Sequence, residues 1–319
     1  MNTKPCAVVL GTGGTIAGTA AHAHDNLGYS AAQRSVQTLL DALGAGAVPA
    51  GVALLAEQVA QIDSKDMDFA LWQALAQRCQ HYLQQPLVQG IVITHGTDTL
   101  EETAWFLHNV LPAGKPVVLT CAMRPATALF ADGPQNLRDA LAVVAHPHAQ
   151  GVVVVCAGQV HGAQRVQKVH PYRLDAFDSG DAGPLGWIEE GQLRMAQPWP
   201  VASQGAFAQT AFPPLGGIAG WPRVEVVMSY AGASAATVEA LVASGVQGLV
   251  VAATGNGTIH QALEAALVRA ETAGVAVLVA SRCPWGQLVP AAENTPRWPW
   301  ALGLSPVKAR IMLLLQLLG

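Results

Sequence analysis

The sequence predicts a doubly wound α/β protein, with a large, mostly parallel sheet domain followed by a smaller α/β domain. Three observations predict it. Short runs rich in β-branched residues are apolar on both faces. Longer amphipathic stretches separate them. Helix start signals stand where those stretches begin.

In chain order, CAVVL (6–10), GIVIT (90–94), PVVLT (116–120) and GVVVV (151–155) read as strands covered on both faces. Helices are predicted near 67–84, 100–111 and 134–145. Thr99-x-x-Glu102 has the form of a capping box, and Pro134 follows Asp132-Gly133 at a first helical turn. From about 190 to 222 the periodicity lapses into Pro, Gly and Ala, the composition of a linker. VEVVMSY (224–230), GLVVAAT (248–254) and VAVLVAS (275–281) then resume the strand pattern. The expected organisation is an N-terminal α/β domain over 1–190, a linker over 191–222 and a smaller α/β domain over 223–319. IMLLLQLLG, from 311, is too short to span a bilayer and reads as a buried helix.

Composition excludes several classes of function. The chain of 319 residues is 51% hydrophobic and 12% charged, which implies a sizeable core and little disorder. A net charge of −4 gives no electrostatic case for nucleic acid or an anionic membrane. Cys6, Cys79, Cys121, Cys156 and Cys283 are odd in number and never form a Cys-x-x-Cys pair, so they read as reduced thiols. Lys4 and the short apolar run after it do not make a secretory leader, and a cytoplasmic protein is expected. The His pairs at 22/24 and 146/148 lie in predicted loops without nearby cysteines. They read as solvated residues, and no metal is expected.

Two glycine–threonine loops carry the chemistry. VVLGTGGTIAG (8–18) runs from a strand into a glycine cluster. A dinucleotide loop would need Gly at 16, where Ile16 stands, and a phosphate loop would need a lysine after its last glycine, where Thr19 stands. What remains is a turn in which small groups approach the backbone, with Thr12 and Thr15 either capping it or reacting. In THGTDTLEE (94–102), His95, Gly96, Thr97 and Asp98 occupy a second strand-to-helix turn, beside a helix N-terminus. His95 is expected to shape that turn. Threonine is a weak nucleophile until a base takes its proton. Of five lysines, Lys168 lies just after the fourth strand, between Val166 and Val169; it reads as a partly buried base or as a surface residue of a hairpin.

GTGGTIAG (11–18) followed by THGTDTLEETA (94–104) resembles the pair of signature motifs of bacterial-type L-asparaginases. The resemblance continues through DSKDM (63–67), PVVLTCAMRP (116–125), ADGPQNL (131–137), GPLG (183–186), GNGT (255–258) and LSPVKARIMLLLQL (304–317). It implies hydrolysis of L-asparagine to L-aspartate and ammonia through a threonyl ester, without a cofactor. By the resemblance Thr15 is the first-loop nucleophile, and Tyr29 is a lid tyrosine that assists it. Thr97, Asp98 and Lys168 form a second catalytic group. Gly14, Asp63, Ser64, Gly96, Thr97 and Asp98 bind substrate, with Ser64 on the α-carboxylate and Asp98 on the α-ammonium. It also implies a homotetramer built from dimers, or a homodimer. Lys65, Gly232 and the weakly matched Glu293 depart from the periplasmic pattern and bear on the contribution of a neighbouring subunit. The rival readings are a dual glutaminase-asparaginase, the amide-hydrolysing subunit of a tRNA amidotransferase and a non-enzymatic amino-acid-binding regulator.

Overall fold

The computed structural model describes residues 4–44, 46, 48–49, 51–201, 220–290 and 296–318. The chain divides into two compact units, Met1–Leu215 and Gly216–Gly319.

In the first unit the apolar runs become the centre of one sheet. Its strands are β1 (Cys6–Gly13), β4 (Ala53–Ile62), β5 (Val88–Thr94), β6 (Pro116–Thr120), β7 (Gly151–Cys156), β8 (Gln159–Gly162), β11 (Gly186–Glu189) and β12 (Gln192–Met195). Their spatial order is β12-β11-β8-β7-β6-β5-β1-β4. Pairing is parallel from β4 to β7 and antiparallel from β7 to β12. Two short antiparallel ribbons stand apart from this sheet: β2 (Thr19–Ala20) with β3 (Tyr29–Ser30), and β9 (Gln167–Lys168) with β10 (Phe177–Asp178).

Helices cover both faces, which is why the central strands carry no polar alternation. On one face Val9, Val92, Val118, Val153 and Val155 form a core with Leu137, Leu141 and Val144 of α4 (Gly133–Ala145) and Val36 and Leu39 of α1 (Val36–Asp41). On the other face lie α2 (Phe69–Leu83) and α3 (Leu100–Val110), whose Trp72 and Phe106 rings stack at 4.9 Å. Burying each such side chain contributes roughly 1.5–3 kcal/mol. Pro134 stands in the first turn of α4, as predicted.

The strand order places the site. The chain leaves β1 for β4 on one side, then crosses to β5 on the other. β1 and β5 are therefore neighbours from which the chain leaves in opposite directions, the kind of position at which open α/β sheets bind ligands.

Several elements differ from the expectations. The edge strand β4 lacks the apolar signature: none of its residues is fully buried, Gln58 and Gln61 are exposed, and Glu57 is half-buried and bonded to Arg78 and Tyr82. Gln192–Met195, expected inside the linker, form β12 at the other edge of the sheet, held by β11 on one side only. Residues 202–219 of the expected linker lie outside the described residues. Thr99 stands at the N-terminus of α3 but makes no side-chain cap, since its hydroxyl donates to Ser64 O at 2.7 Å instead. His146 is half-buried rather than solvated, with its ring 5.9 Å from that of Trp199. The five cysteines are free.

The second unit has three parallel strands, β13 (Val224–Met228), β14 (Gly248–Ala253) and β15 (Ala276–Ser281). Val227, Val251 and Val279 form its core with residues of α5 (Ala236–Ala243) and α6 (Gln261–Thr272). The tail is α7 (Pro306–Leu318), which packs on all three strands and buries Ile311 and Leu314 completely. Among the described residues no helix is long and apolar enough to cross a membrane.

Candidate active site

Each of the two signature loops ends a central strand, and two glycines bring them together. Gly14 has φ +78°, and a Cβ on it would overlap Cα and N of Gly96. A Cβ on Gly96 would in turn overlap Ser64 Oγ. The backbones of both loops and the Ser64 hydroxyl therefore meet in a space that admits no side chain at either glycine. Thr12 ties the same strands from below, its Oγ1 donating to Thr94 O at 2.9 Å. Thr15 and Thr97 each follow one of the two touching glycines.

Thr15 opens a short 3-10 turn, Thr15–Ala17, and is buried. Its Oγ1 is 2.7 Å from the Tyr29 hydroxyl. Tyr29 reaches it from β3, which pairs with β2 just beyond the first loop. The ribbon is anchored where Ala20 N donates to Thr127 Oγ1 and Leu129 N to Ala23 O.

At the second turn, Lys168 Nζ donates to Thr97 Oγ1 at 2.8 Å and to Asp98 Oδ1 at 2.6 Å. The Lys168 side chain is 19% exposed and that of Asp98 52%. A pair this open adds little to stability. Its consequence is positional: it holds an amine against a buried threonine hydroxyl. Lys168 lies in the hairpin of β9 and β10, with its side chain half-buried and its Nζ on the second turn.

Ser64 is 2% exposed, and its Oγ accepts the Asp98 N–H at 3.1 Å, so the hydroxyl proton points elsewhere. Asp63 precedes it as N-cap of the turn Ser64–Asp66, accepting from Lys65 N. The structure thus sets Gly14 of the first loop against Gly96 of the second, with Ser64 beside Gly96, Tyr29 on Thr15, and Lys168 on Thr97 and Asp98. Asp63 contributes through the turn it caps. Gly232 lies in a turn with φ +79° and nothing within 4 Å of a Cβ, and Glu293 lies outside the described residues.

His95 is fully buried and does not face the crevice chemistry. Its Nδ1 is 2.7 Å from Gly96 O and its Nε2 3.0 Å from Thr103 Oγ1, which also receives the Trp72 indole N–H. A carbonyl only accepts and an indole N–H only donates, so Nδ1 carries the proton and Nε2 accepts from Thr103. Burial holds the imidazole neutral, its pKa lowered to about 4. The residue shapes the turn, as the sequence suggested.

Sequence reasoning missed Glu101, whose Oε2 accepts the backbone N–H of Lys168 at 2.6 Å. It also missed Asp132, which accepts the amides of Met123 and Arg124 at 2.9 Å and whose pKa burial raises. Neither contact has a local signal; both join segments distant or irregular in the chain. Among the described residues no group of three or more His, Cys, Asp or Glu side chains is placed to hold a metal ion.

The family model "Asparaginase, N-terminal" matches residues 7–201, and "Glutaminase/Asparaginase C-terminal domain" matches residues 223–318. The chain belongs to the asparaginase family. It is 35% identical over 318 residues to L-asparaginase 2 of Escherichia coli, covering 98% of this chain and 89% of that protein. It is 34% identical over 316 residues to the glutaminase-asparaginase of Pseudomonas fluorescens, covering 97% and 85%. A crystal structure of a probable cytoplasmic L-asparaginase from Campylobacter jejuni superimposes with a TM-score of 0.88 at 35% identity, covering 98% of this chain and 95% of that one. The asparaginase fold, a large parallel-dominated sheet with a smaller α/β unit, is the fold predicted from the sequence.

Proposed function

We propose that the protein hydrolyses L-asparagine to L-aspartate and ammonia through a β-aspartyl ester on Thr15. The observation that carries this reading is the Lys168 Nζ–Thr97 Oγ1 contact of 2.8 Å beside the abutting Gly14 and Gly96. Binding an amino acid requires neither a lysine on a threonine hydroxyl nor a second threonine bonded to a tyrosine; bond cleavage uses both.

Asparagine presents a carboxylate and an ammonium on one carbon. The Ser64 hydroxyl proton receives the carboxylate. Asp98 Oδ1 is held by Lys168, and its other oxygen receives the ammonium. The carboxamide then lies between the two threonines.

Thr15 Oγ attacks the carboxamide carbon. Its proton passes along the 2.7 Å bond to the Tyr29 oxygen, and the tyrosine gives its own proton to the departing nitrogen. The C–N bond breaks and ammonia leaves. The oxyanion needs backbone donors. In the second turn the amides of His95 and Asp98 are engaged by Thr120 O and Ser64 Oγ, leaving those of Gly96 and Thr97. Such a donor lowers the barrier by roughly 3–4 kcal/mol. A water then attacks the ester, its proton moving to Thr97 Oγ1 as the Thr97 proton moves to Lys168 Nζ. The bond from the acyl carbon to Thr15 Oγ breaks as Tyr29 gives its proton to Thr15. Lys168 passes its proton through solvent back to the Tyr29 oxygen, which restores every side chain and releases L-aspartate. No cofactor enters the scheme.

We further propose a cytoplasmic location, consistent with five free cysteines and with the Campylobacter jejuni neighbour, which is called a probable cytoplasmic L-asparaginase. A homotetramer or homodimer is proposed from the family resemblance, and size-exclusion chromatography with light scattering tests it.

The deciding experiment is a coupled assay of ammonia release from L-asparagine and, in parallel, from L-glutamine. Release from asparagine supports the reading. Calorimetric binding of asparagine without release would identify an amino-acid-binding regulator instead.

A further inference from the structure

We propose that Glu101 is a positioning residue for Lys168, an inference that rests on the reading of Lys168 as the residue that handles the Thr97 proton. Lys168 lies on β9, a strand of two residues that pairs only with β10 and stands apart from the main sheet. Ribbons this short do not fix a backbone by themselves. Along β9 the amides point to alternate sides. Val169 N donates to Ala176 O at 2.8 Å, on the side of the ribbon's other strand. The Lys168 amide points the opposite way, where no strand lies, and Glu101 Oε2 accepts it at 2.6 Å.

Glu101 is the second residue of α3, and the turn that leads into α3 carries Thr97 and Asp98. Lys168 is therefore held at both ends by one structural unit. Its ammonium nitrogen meets Thr97 and Asp98, and its backbone amide meets the carboxylate of Glu101 three residues further on. A lysine side chain has four rotatable bonds, and the Nζ–Thr97 contact persists only if the backbone from which it hangs is fixed. The carboxylate supplies that fixed point. It ties the start of the lysine's reach to the same rigid helix that sets its end.

An acidic residue in a first helical turn also interacts favourably with the helix dipole, a role that Glu102 shares. That role needs the charge; the positioning role needs an acceptor oxygen at the Lys168 amide. Substitutions separate them. Glu101→Gln keeps an acceptor and removes the charge. Glu101→Met keeps length and helix propensity and removes both.

The experiment compares asparagine turnover, KM and thermal stability in wild type, Glu101→Gln, Glu101→Met and Lys168→Met. Positioning predicts that Glu101→Met lowers kcat at least tenfold with KM changed less than twofold, and that Glu101→Gln stays within threefold of wild-type kcat. It also predicts faster hydrogen exchange of the Lys168 amide in Glu101→Met. Wild-type kcat in a folded Glu101→Met, equal losses in the Met and Gln variants, or a rise in KM alone would overturn it. Should Glu101→Met not fold, amide exchange in the wild-type protein decides. A Lys168 amide as protected as that of Val169 supports the proposal, and one that exchanges like an exposed loop amide overturns it. Lys168→Met separates the two readings. If that variant keeps turnover, the role of Lys168 itself falls; if it is inactive while Glu101→Met is not, only the positioning role falls.

Discussion

Gly14 and Gly96 lie backbone against backbone, so close that a methyl group on Gly14 would overlap the Cα and N of Gly96. Eighty-odd residues of chain separate them, yet this contact decides where both threonine turns end. It follows from the strand order, in which β1 and β5 are neighbours from which the chain leaves in opposite directions.

Gly14→Ala is expected to lower stability by about 2 kcal/mol or more, because it combines an overlap with backbone and a positive φ. Turnover is expected to fall by roughly 10²-fold as the turns are pushed apart. Gly114→Ala is the control, since a Cβ there meets nothing within 4 Å. Denaturant unfolding and the ammonia assay measure both effects, and a Gly14→Ala variant as stable and active as the control would contradict the close contact.

Thr15→Ala and Thr97→Val should each reduce kcat by roughly 10³-fold or more, with an unchanged unfolding midpoint. Tyr29→Phe, which removes the partner 2.7 Å from Thr15 Oγ1, should cost roughly 10²-fold. Because no ester forms without Thr15 for the Thr97-dependent step to hydrolyse, the double variant should be little worse than Thr15→Ala alone. Additive losses in log kcat would indicate separate roles.

The legible parts of the fold were those with a local physical cause. Strands β1, β5, β6 and β7 are buried on both faces along most of their length, so their central residues are apolar without alternation. The two Gly-Thr turns were legible for the same reason, because strand ends and helix starts bracket them. Strand β12 was not, since it alternates between exposed and half-buried and follows a turn of polar residues. The Thr99-x-x-Glu102 pattern predicted the start of α3 correctly but misassigned the Thr99 hydroxyl, which a residue 35 positions away engages. Glu101 carried no signal at all. Nothing in an acidic first turn distinguishes a carboxylate facing water from one that holds a backbone amide of another strand.

Stability should depend on pH through His95. Its native pKa is lowered from 6.5 to about 4 by burial. Between those values the unfolded chain binds a proton that the native protein does not, so native stability falls as pH falls from about 6.5 to about 4. The loss amounts to roughly 3 kcal/mol. Asp132, whose pKa burial raises, acts in the opposite direction, so the test is a difference between proteins. Wild type should lose about that much more stability over the interval than His95→Asn, measured by denaturant unfolding at stepped pH. Parallel curves would show that His95 is protonated in the native protein.

Asparagine should be preferred over glutamine. By the family resemblance, periplasmic members often place an asparagine where Gly232 offers no side chain here. The two substrates differ by one methylene, a difference that pockets discriminate by roughly 10–200-fold. A ratio of kcat/KM in that range is expected, and comparable values for the two amides would contradict it.

The most direct test is a crystal structure with L-aspartate bound. One aspartate is expected, with its α-carboxylate on Ser64 Oγ and its side-chain carboxylate between Thr15 Oγ1 and Thr97 Oγ1, within hydrogen-bonding distance of both. An aspartate that touches only one of the two threonines, with the other facing a separate cavity, would contradict it.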